Sequence, residues 1–252
     1  MRMLELHDHG PIREIRLNRP PANALNGDLV SQLDQALKSA SNEAGAVVLS
    51  GLPGMFCAGL DVPELLESDR AQFSGMWQRF IGVQRTIATL PVPIAFALTG
   101  HAPAGGILLG VFGDFRVMPS GAYKTGLNEV KIGLVVPEPP YHALVRLVGQ
   151  QIADELVMTG DMLSSERAVE VRLVDELADS PEATVTRAVE WCESRLALPR
   201  KAMLISREMT RRSLHRIFEN YDAARDDVFI DLWFQDSTQA TLREMVARLK
   251  KR

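Results

Sequence analysis

One carboxylate, Glu129, stands in the largely apolar stretch 125–137 (TGLNEVKIGLVVP). Among Leu127, Val130, Leu134 and Val135 it is placed for desolvation, which lifts a carboxyl group's pKa toward the range where it takes and returns a proton at neutral pH. The competing reading is a surface glutamate paired with Lys131 or Lys124. Two glycine-containing turns offer what such a base needs beside it. In residues 56–62 (FCAGLDV), Ala58 and Gly59 are small enough to let another molecule approach the backbone. In residues 100–108 (GHAPAGGIL), Gly105 and Gly106 stand where a helix would begin, and the unpaired N–H groups of a helix start favour negative charge. One N–H from each turn would make an oxyanion hole, useful when a carbonyl oxygen becomes an enolate. Either turn alone is weak evidence, because glycine pairs open many helices for packing reasons.

The elements that must position these residues alternate between strand and helix. Residues 12–17 alternate as a half-exposed strand does, and 46–49 and 93–98 are short apolar runs suited to buried strands. Leu29, Leu33, Ala36 and Leu37 recur at helical spacing after Asp28, a candidate cap, and Phe73, Trp77, Phe80, Ile81 and Gln84 form a second amphipathic stripe. The repetition predicts an α/β architecture. Beyond residue 139 helices prevail, at 141–148, 152–158, 164–171 and 183–196, followed by three more, with 173–177 as a last short strand. Residues 1–195 are expected to form the main body and 196–252 a helical region. Its apolar supply, including Phe218, Phe229, Trp233 and Phe234, must pack on a neighbouring subunit or on the chain's own core.

Composition narrows the function classes. The chain has 252 residues, 46% hydrophobic and 24% charged, with a formal charge of −4, so it lacks the basic field of a nucleic-acid binder. Two cysteines, Cys57 and Cys192, make neither a disulfide framework nor a metal cluster, and fit a reducing compartment. The opening MRMLELHDHG has no apolar signal segment, and 107–112 is too short to span a bilayer. A cytoplasmic protein with no membrane or nucleic-acid partner is expected.

Taken in order, NRPPANALN (18–26), MFCAGLDVPEL, HAPAGG and GLNEVKIGLVVP resemble the successive motifs of the crotonase, or enoyl-CoA hydratase/isomerase, superfamily, and within it the 3,2-trans-enoyl-CoA isomerases. The resemblance spans essentially the whole chain. It implies a ββα spiral core with a C-terminal helical trimerisation region, acyl-CoA thioesters as ligands, and a homotrimer or hexamer. It also implies the oxyanion donors, the backbone N–H groups of Leu60 and Gly105, and Glu129 as the catalytic acid–base. Ala22, Ala24, Ala58, Asp61, Val62, Gly106 and Pro137 would line the substrate groove, although Asp61 has an equally good reading as the N-cap of a helix starting near Pro63.

Hydratases of this superfamily carry two glutamates, and here the first position holds Leu108. One base suits a double-bond shift, 3-enoyl-CoA to 2-enoyl-CoA, with no metal and no cofactor beyond the coenzyme A of the substrate. Alternatives are a hydratase in which Glu138 replaces the lost acid, another acyl-CoA enzyme of the superfamily, and a non-catalytic acyl-CoA-binding protein. His101 reads as structural. Asp114 and Arg116 are expected to pair or hydrogen-bond locally, and Arg200, Lys201, Arg207, Arg211 and Arg212 to form a solvated helix face, with contact to the phosphates of coenzyme A as the alternative for some of them. Trp77, Phe80 and Ile81 are expected in the pocket wall.

Overall fold

The computed structural model describes residues 2–249. In chain order its elements are β1 (Leu4–His9), β2 (Ile12–Leu17), α1 (Gly27–Glu43), β3 (Ala46–Ser50), β4 (Gly54–Met55), α2 (Val62–Leu65), α3 (Arg70–Thr89), β5 (Ile94–Ala97), β6 (Gly100–Pro103), α4 (Gly105–Gly110), β7 (Phe115–Pro119) and β8 (Lys124–Gly126). A short 3-10 turn, Glu129–Ile132, leads to α5 (Glu138–Val148), α6 (Gln150–Thr159), β9 (Met162–Ser164), α7 (Ser165–Glu170), β10 (Glu176–Ala178), α8 (Pro181–Leu196), α9 (Arg200–Glu219), α10 (Asp226–Trp233) and α11 (Asp236–Leu249).

The strands fall into two sheets, β1-β2-β3-β5-β7-β10 and β4-β6-β8-β9. From β3 to β8 the chain gives one strand to the first sheet and the next to the second, so each ββα unit is one turn of a spiral. Pairing is parallel except at β1–β2 and β8–β9. This is the crotonase-type α/β fold that the motif order implies.

The apolar runs are short and unbroken because both faces of the first sheet are covered. Ala46, Val48, Ala95 and Ala97 pack against Ala188 and Cys192 of α8, while Val47, Leu49, Ile94 and Phe96 point into the larger core. Helix α1 is capped two residues earlier than expected: the Asn26 side chain accepts from Leu29 N at 3.0 Å, and Asp28 lies inside the first turn. Helix α3 starts with a capping box, in which Asp69 and Gln72 satisfy each other's backbone N–H groups. The late strand lies at Glu176–Ala178 rather than 173–177, and the three-residue β9 has too little pattern to be read from sequence.

The C-terminal aromatic residues cover this chain's own core. Phe229 stacks on Trp77 with ring centroids 3.9 Å apart, and Trp233 on Phe73 at 4.4 Å. Such pairs add to the area they bury. Asp114 and Arg116 do not pair with each other, but Arg116 does hydrogen-bond locally, to Gly110 O and Gly113 O, while its ion pair is with Asp175 and Asp114 takes Arg207 and Arg211. One further expectation is corrected. Arg200, Lys201 and Arg212 are exposed as a solvated face requires, but Arg207 and Arg211 turn inward and tie α9 to carbonyls of Ile87, Ala88, Leu90 and Phe112.

Candidate active site

The 18–26 loop runs beside the first glycine turn as an extra strand. Leu25 N donates to Gly59 O at 2.8 Å, Asp61 N to Leu25 O at 3.0 Å, and Ala58 N to Ala22 O at 3.0 Å. Asn23, buried and at φ 49°, fixes the loop by donating to Phe56 O and accepting from Arg19 N. Pairing with Leu25 engages the residues on either side of Leu60. The Leu60 N–H itself has no acceptor among the described residues.

The second turn ends at Ala104, at φ 44°, which caps α4 with backbone alone. Gly105 is the first residue of α4, so its N–H has no partner within the helix. The two turns touch. A Cβ placed on Gly59, whose φ is +91°, would lie 3.2 Å from the Gly105 nitrogen, and one on Gly105 would lie 3.0 Å from Gly59 Cα. Glycine at both positions is what lets the two turns approach each other this closely.

Glu129 opens the 3-10 turn that follows β8, and left-handed Gly133 ends that turn. Its side chain is buried and Oε2 has no hydrogen-bond partner. Burial pushes the carboxyl up from 4.5 to about 7, against a weaker opposing pull from its own backbone N–H. The surface ion-pair reading fails: Lys131 binds Asp161 at 2.7 Å, and Lys124 is exposed. Of its apolar neighbours in sequence, Leu127 and Leu134 are buried, whereas Val130 and Val135 are exposed.

Leu60, Gly105 and Glu129 line one cavity of about 780 Å³, together with Ala22, Ala24, Ala58, Asp61, Val62 and Pro137. Leu108 faces this cavity too. Gly106 does not. A Cβ there would lie 2.6 Å from Cys57 O, so that glycine serves close packing of α4 on the first turn. Asp61 is committed elsewhere, accepting from Glu64 N as the cap of α2 and pairing with Arg19 at 2.6 Å. Trp77 and Phe80 are in the wall as expected and Ile81 is not. Sequence reasoning missed Phe229, Trp233 and Met245, which close the cavity from the C-terminal helices. The dense aromatic supply there was the available signal.

Glu138 lies outside the cavity and pairs with Arg225 at 2.7 Å. That removes it as a replacement acid. His101 accepts from Lys124 N at 3.1 Å and meets the Tyr123 ring edge-on, a structural role. Among the described residues no group of three or more His, Cys, Asp or Glu is placed to hold a metal ion.

A family model described as enoyl-CoA hydratase/isomerase matches residues 8–252. The chain belongs to the enoyl-CoA hydratase/isomerase family. It is 27% identical over 255 residues to the mitochondrial enoyl-CoA delta isomerase 1 of Mus musculus, covering 99% of this chain and 88% of that protein. It is 32% identical over 214 residues to a probable enoyl-CoA hydratase of Rhizobium meliloti, covering 84% and 82%. The structure of human mitochondrial delta3-delta2-enoyl-CoA isomerase superposes with a TM-score of 0.92 over 99% of both chains, at 23% identity. Proteins named as isomerases and as hydratases thus both stand among the relatives of this chain. No helix among the described residues is long and apolar enough to cross a membrane.

Proposed function

We propose that the protein is an enoyl-CoA isomerase that moves a 3-enoyl-CoA double bond to the 2-trans position. The observation that carries this reading is the buried Glu129 carboxyl, whose Oε2 has no hydrogen-bond partner, facing the same cavity as Leu108. The thioester carbonyl oxygen accepts from the Leu60 and Gly105 N–H groups, which makes the α-carbon acidic. Glu129 removes the α-proton, and the electron pair spreads through a dienolate onto the held oxygen. The protonated Glu129 then returns the proton at the γ-carbon, leaving the double bond between the α- and β-carbons. Water addition needs a second group to hold and orient the water. Leu108 has no polar atom, and the other carboxylate in the wall, Asp61, is held by Arg19.

The apolar end of the cavity, with Trp77, Phe80, Phe229 and Trp233, accommodates an acyl chain, and the Ala22, Ala24 and Ala58 side accommodates the coenzyme A arm. No residue of the site is asked to supply redox or Lewis-acid chemistry in this reaction. We also propose a trimeric or hexameric assembly in the cytoplasm; both cysteines are free and buried, as a reducing compartment allows. Incubation with 3-enoyl-CoA and, separately, with 2-enoyl-CoA tests the assignment. Double-bond migration without hydration is expected, whereas water addition at a comparable rate would overturn it.

A further inference from the structure

A second cavity, of about 310 Å³, lies where the chain enters β5 and β7, bounded by α8 and α9, and shares no lining residue with the Glu129 cavity. Arginine dominates it: Arg116, Arg146, Arg195 and Arg207 line it, and Arg211 stands behind them on Asp114. Five guanidiniums meet two carboxylates. Asp114 is fully used, by Arg207 Nε at 2.8 Å, Arg211 Nη1 at 2.6 Å and Ile94 N at 2.9 Å, and Asp175 is taken by Arg116 at 2.7 Å. Among the described residues Arg146 hydrogen-bonds only to Ser213 Oγ and Thr210 O, Arg195 lies 4.8 Å from the centre of the Trp191 ring, and neither has a carboxylate within ion-pair distance.

The surplus is felt inside the fold. Burial, with repulsion from Arg116, lowers the Arg146 pKa, and burial, with repulsion from Arg207 and Arg146, brings Arg211 down to about 10. Two donors are also left over. Arg116 Nε and Arg207 Nη2 are buried without a hydrogen-bond partner, on side chains only 3% and 9% exposed. A buried charged donor without a partner is costly, and uncompensated buried charge more so. Planar guanidiniums converging on a small cavity match the geometry of an oxyanion.

We propose that this arginine-lined cavity binds a phosphate group, either free orthophosphate or the phosphate of a nucleotide. The anion would neutralise the charge that Asp114 and Asp175 leave uncovered. Arg146 and Arg195, which hold no carboxylate, are its ligands, and the buried Arg116 and Arg207 supply fixed positive charge beneath it.

The test is a titration of the full-length protein with orthophosphate and, in parallel, with adenosine monophosphate, by calorimetry and by melting temperature in chloride of matched ionic strength. Saturable binding is expected, with a melting temperature raised by about 5 °C or more once the ligand exceeds its dissociation constant a hundredfold. Binding of orthophosphate identifies a free-anion site, and binding of adenosine monophosphate alone a nucleotide site. The double variant Arg146→Gln/Arg195→Gln should lose the shift. The single variant Arg195→Gln, at a half-buried position that carries no ion pair, should weaken binding about tenfold or more and guards against a misfolded double variant. Phosphate shifts no larger than those of chloride, or equal in parent and variants, would overturn the proposal. So would a crystal structure with a carboxylate of a second copy seated between Arg146 and Arg195.

Discussion

Glu129 and Asp114 are both carboxylates enclosed by the fold, yet their surroundings drive them in opposite directions. Glu129 meets leucines and an open cavity, and is pushed up to about 7. Burial acts on Asp114 in the same sense, but Arg211 and Arg207 overcome it and hold the group below the ordinary carboxylate range. Depth alone therefore does not decide whether a buried acid is poised to move protons or locked as an anion. What decides it is whether cations have been buried with it.

The largest expected effect comes from removing the poised acid. Glu129→Gln keeps size and polarity but cannot exchange a proton, and isomerisation of 3-enoyl-CoA should fall by a factor of about 10² to 10⁴ while thioester binding persists. Activity retained in this variant would end the assignment of Glu129.

Removing the locked acid should spare the chemistry and strike the fold. Asp114→Ala leaves Arg207 and Arg211 facing each other without a counter-charge, at a cost of about 3–5 kcal/mol in urea unfolding. A cost near that of a surface ion pair would show that Arg207 and Arg211 find other partners.

The contrast has a pH signature. The folded-state pKa of Glu129, about 7, lies above its ordinary 4.5, so the folded protein binds that proton more tightly than the unfolded chain does. The stability this contributes is complete below about pH 4.5 and is lost as pH rises through 7. Glu129→Gln should therefore match the parent near pH 4 and exceed its stability at pH 8 by on the order of 3 kcal/mol. Parallel denaturation curves at the two pH values decide this. Because the reaction needs the carboxylate, kcat/KM of the parent should rise with pH through about 7. The smallest effect belongs to Glu138→Gln, which pairs with Arg225 outside the cavity; isomerisation should be unchanged, and its loss would revive a second acid.

Sequence made the Glu129 half of this comparison visible and hid the other half. Glu129 and both glycine turns sit in short contiguous motifs, and the strand-helix alternation that carries them leaves a local apolar period. The partners of Asp114 lie 93 and 97 residues further along the chain, and no local pattern marks an arginine on a helix as inward-facing. The same limit explains smaller differences. Gly106 looked like a substrate glycine because only the fold brings Cys57 O against it, and the cavity wall at Phe229 and Trp233 depends on how α10 docks on α3.

The contact between Gly59 and Gly105 separates two tasks that a side-chain site would have to combine. Since bare backbone sets how far apart the Leu60 and Gly105 nitrogens stand, the spacing of the two donors cannot drift with a change of rotamer. The Leu60 side chain is half-buried in the cavity wall, so under the proposed function its exchange would reshape the space for the acyl group without retuning the donors. In the proposed reaction, substrate range and charge stabilisation would fall to different atoms of one residue, so that the first could change while the second stays fixed.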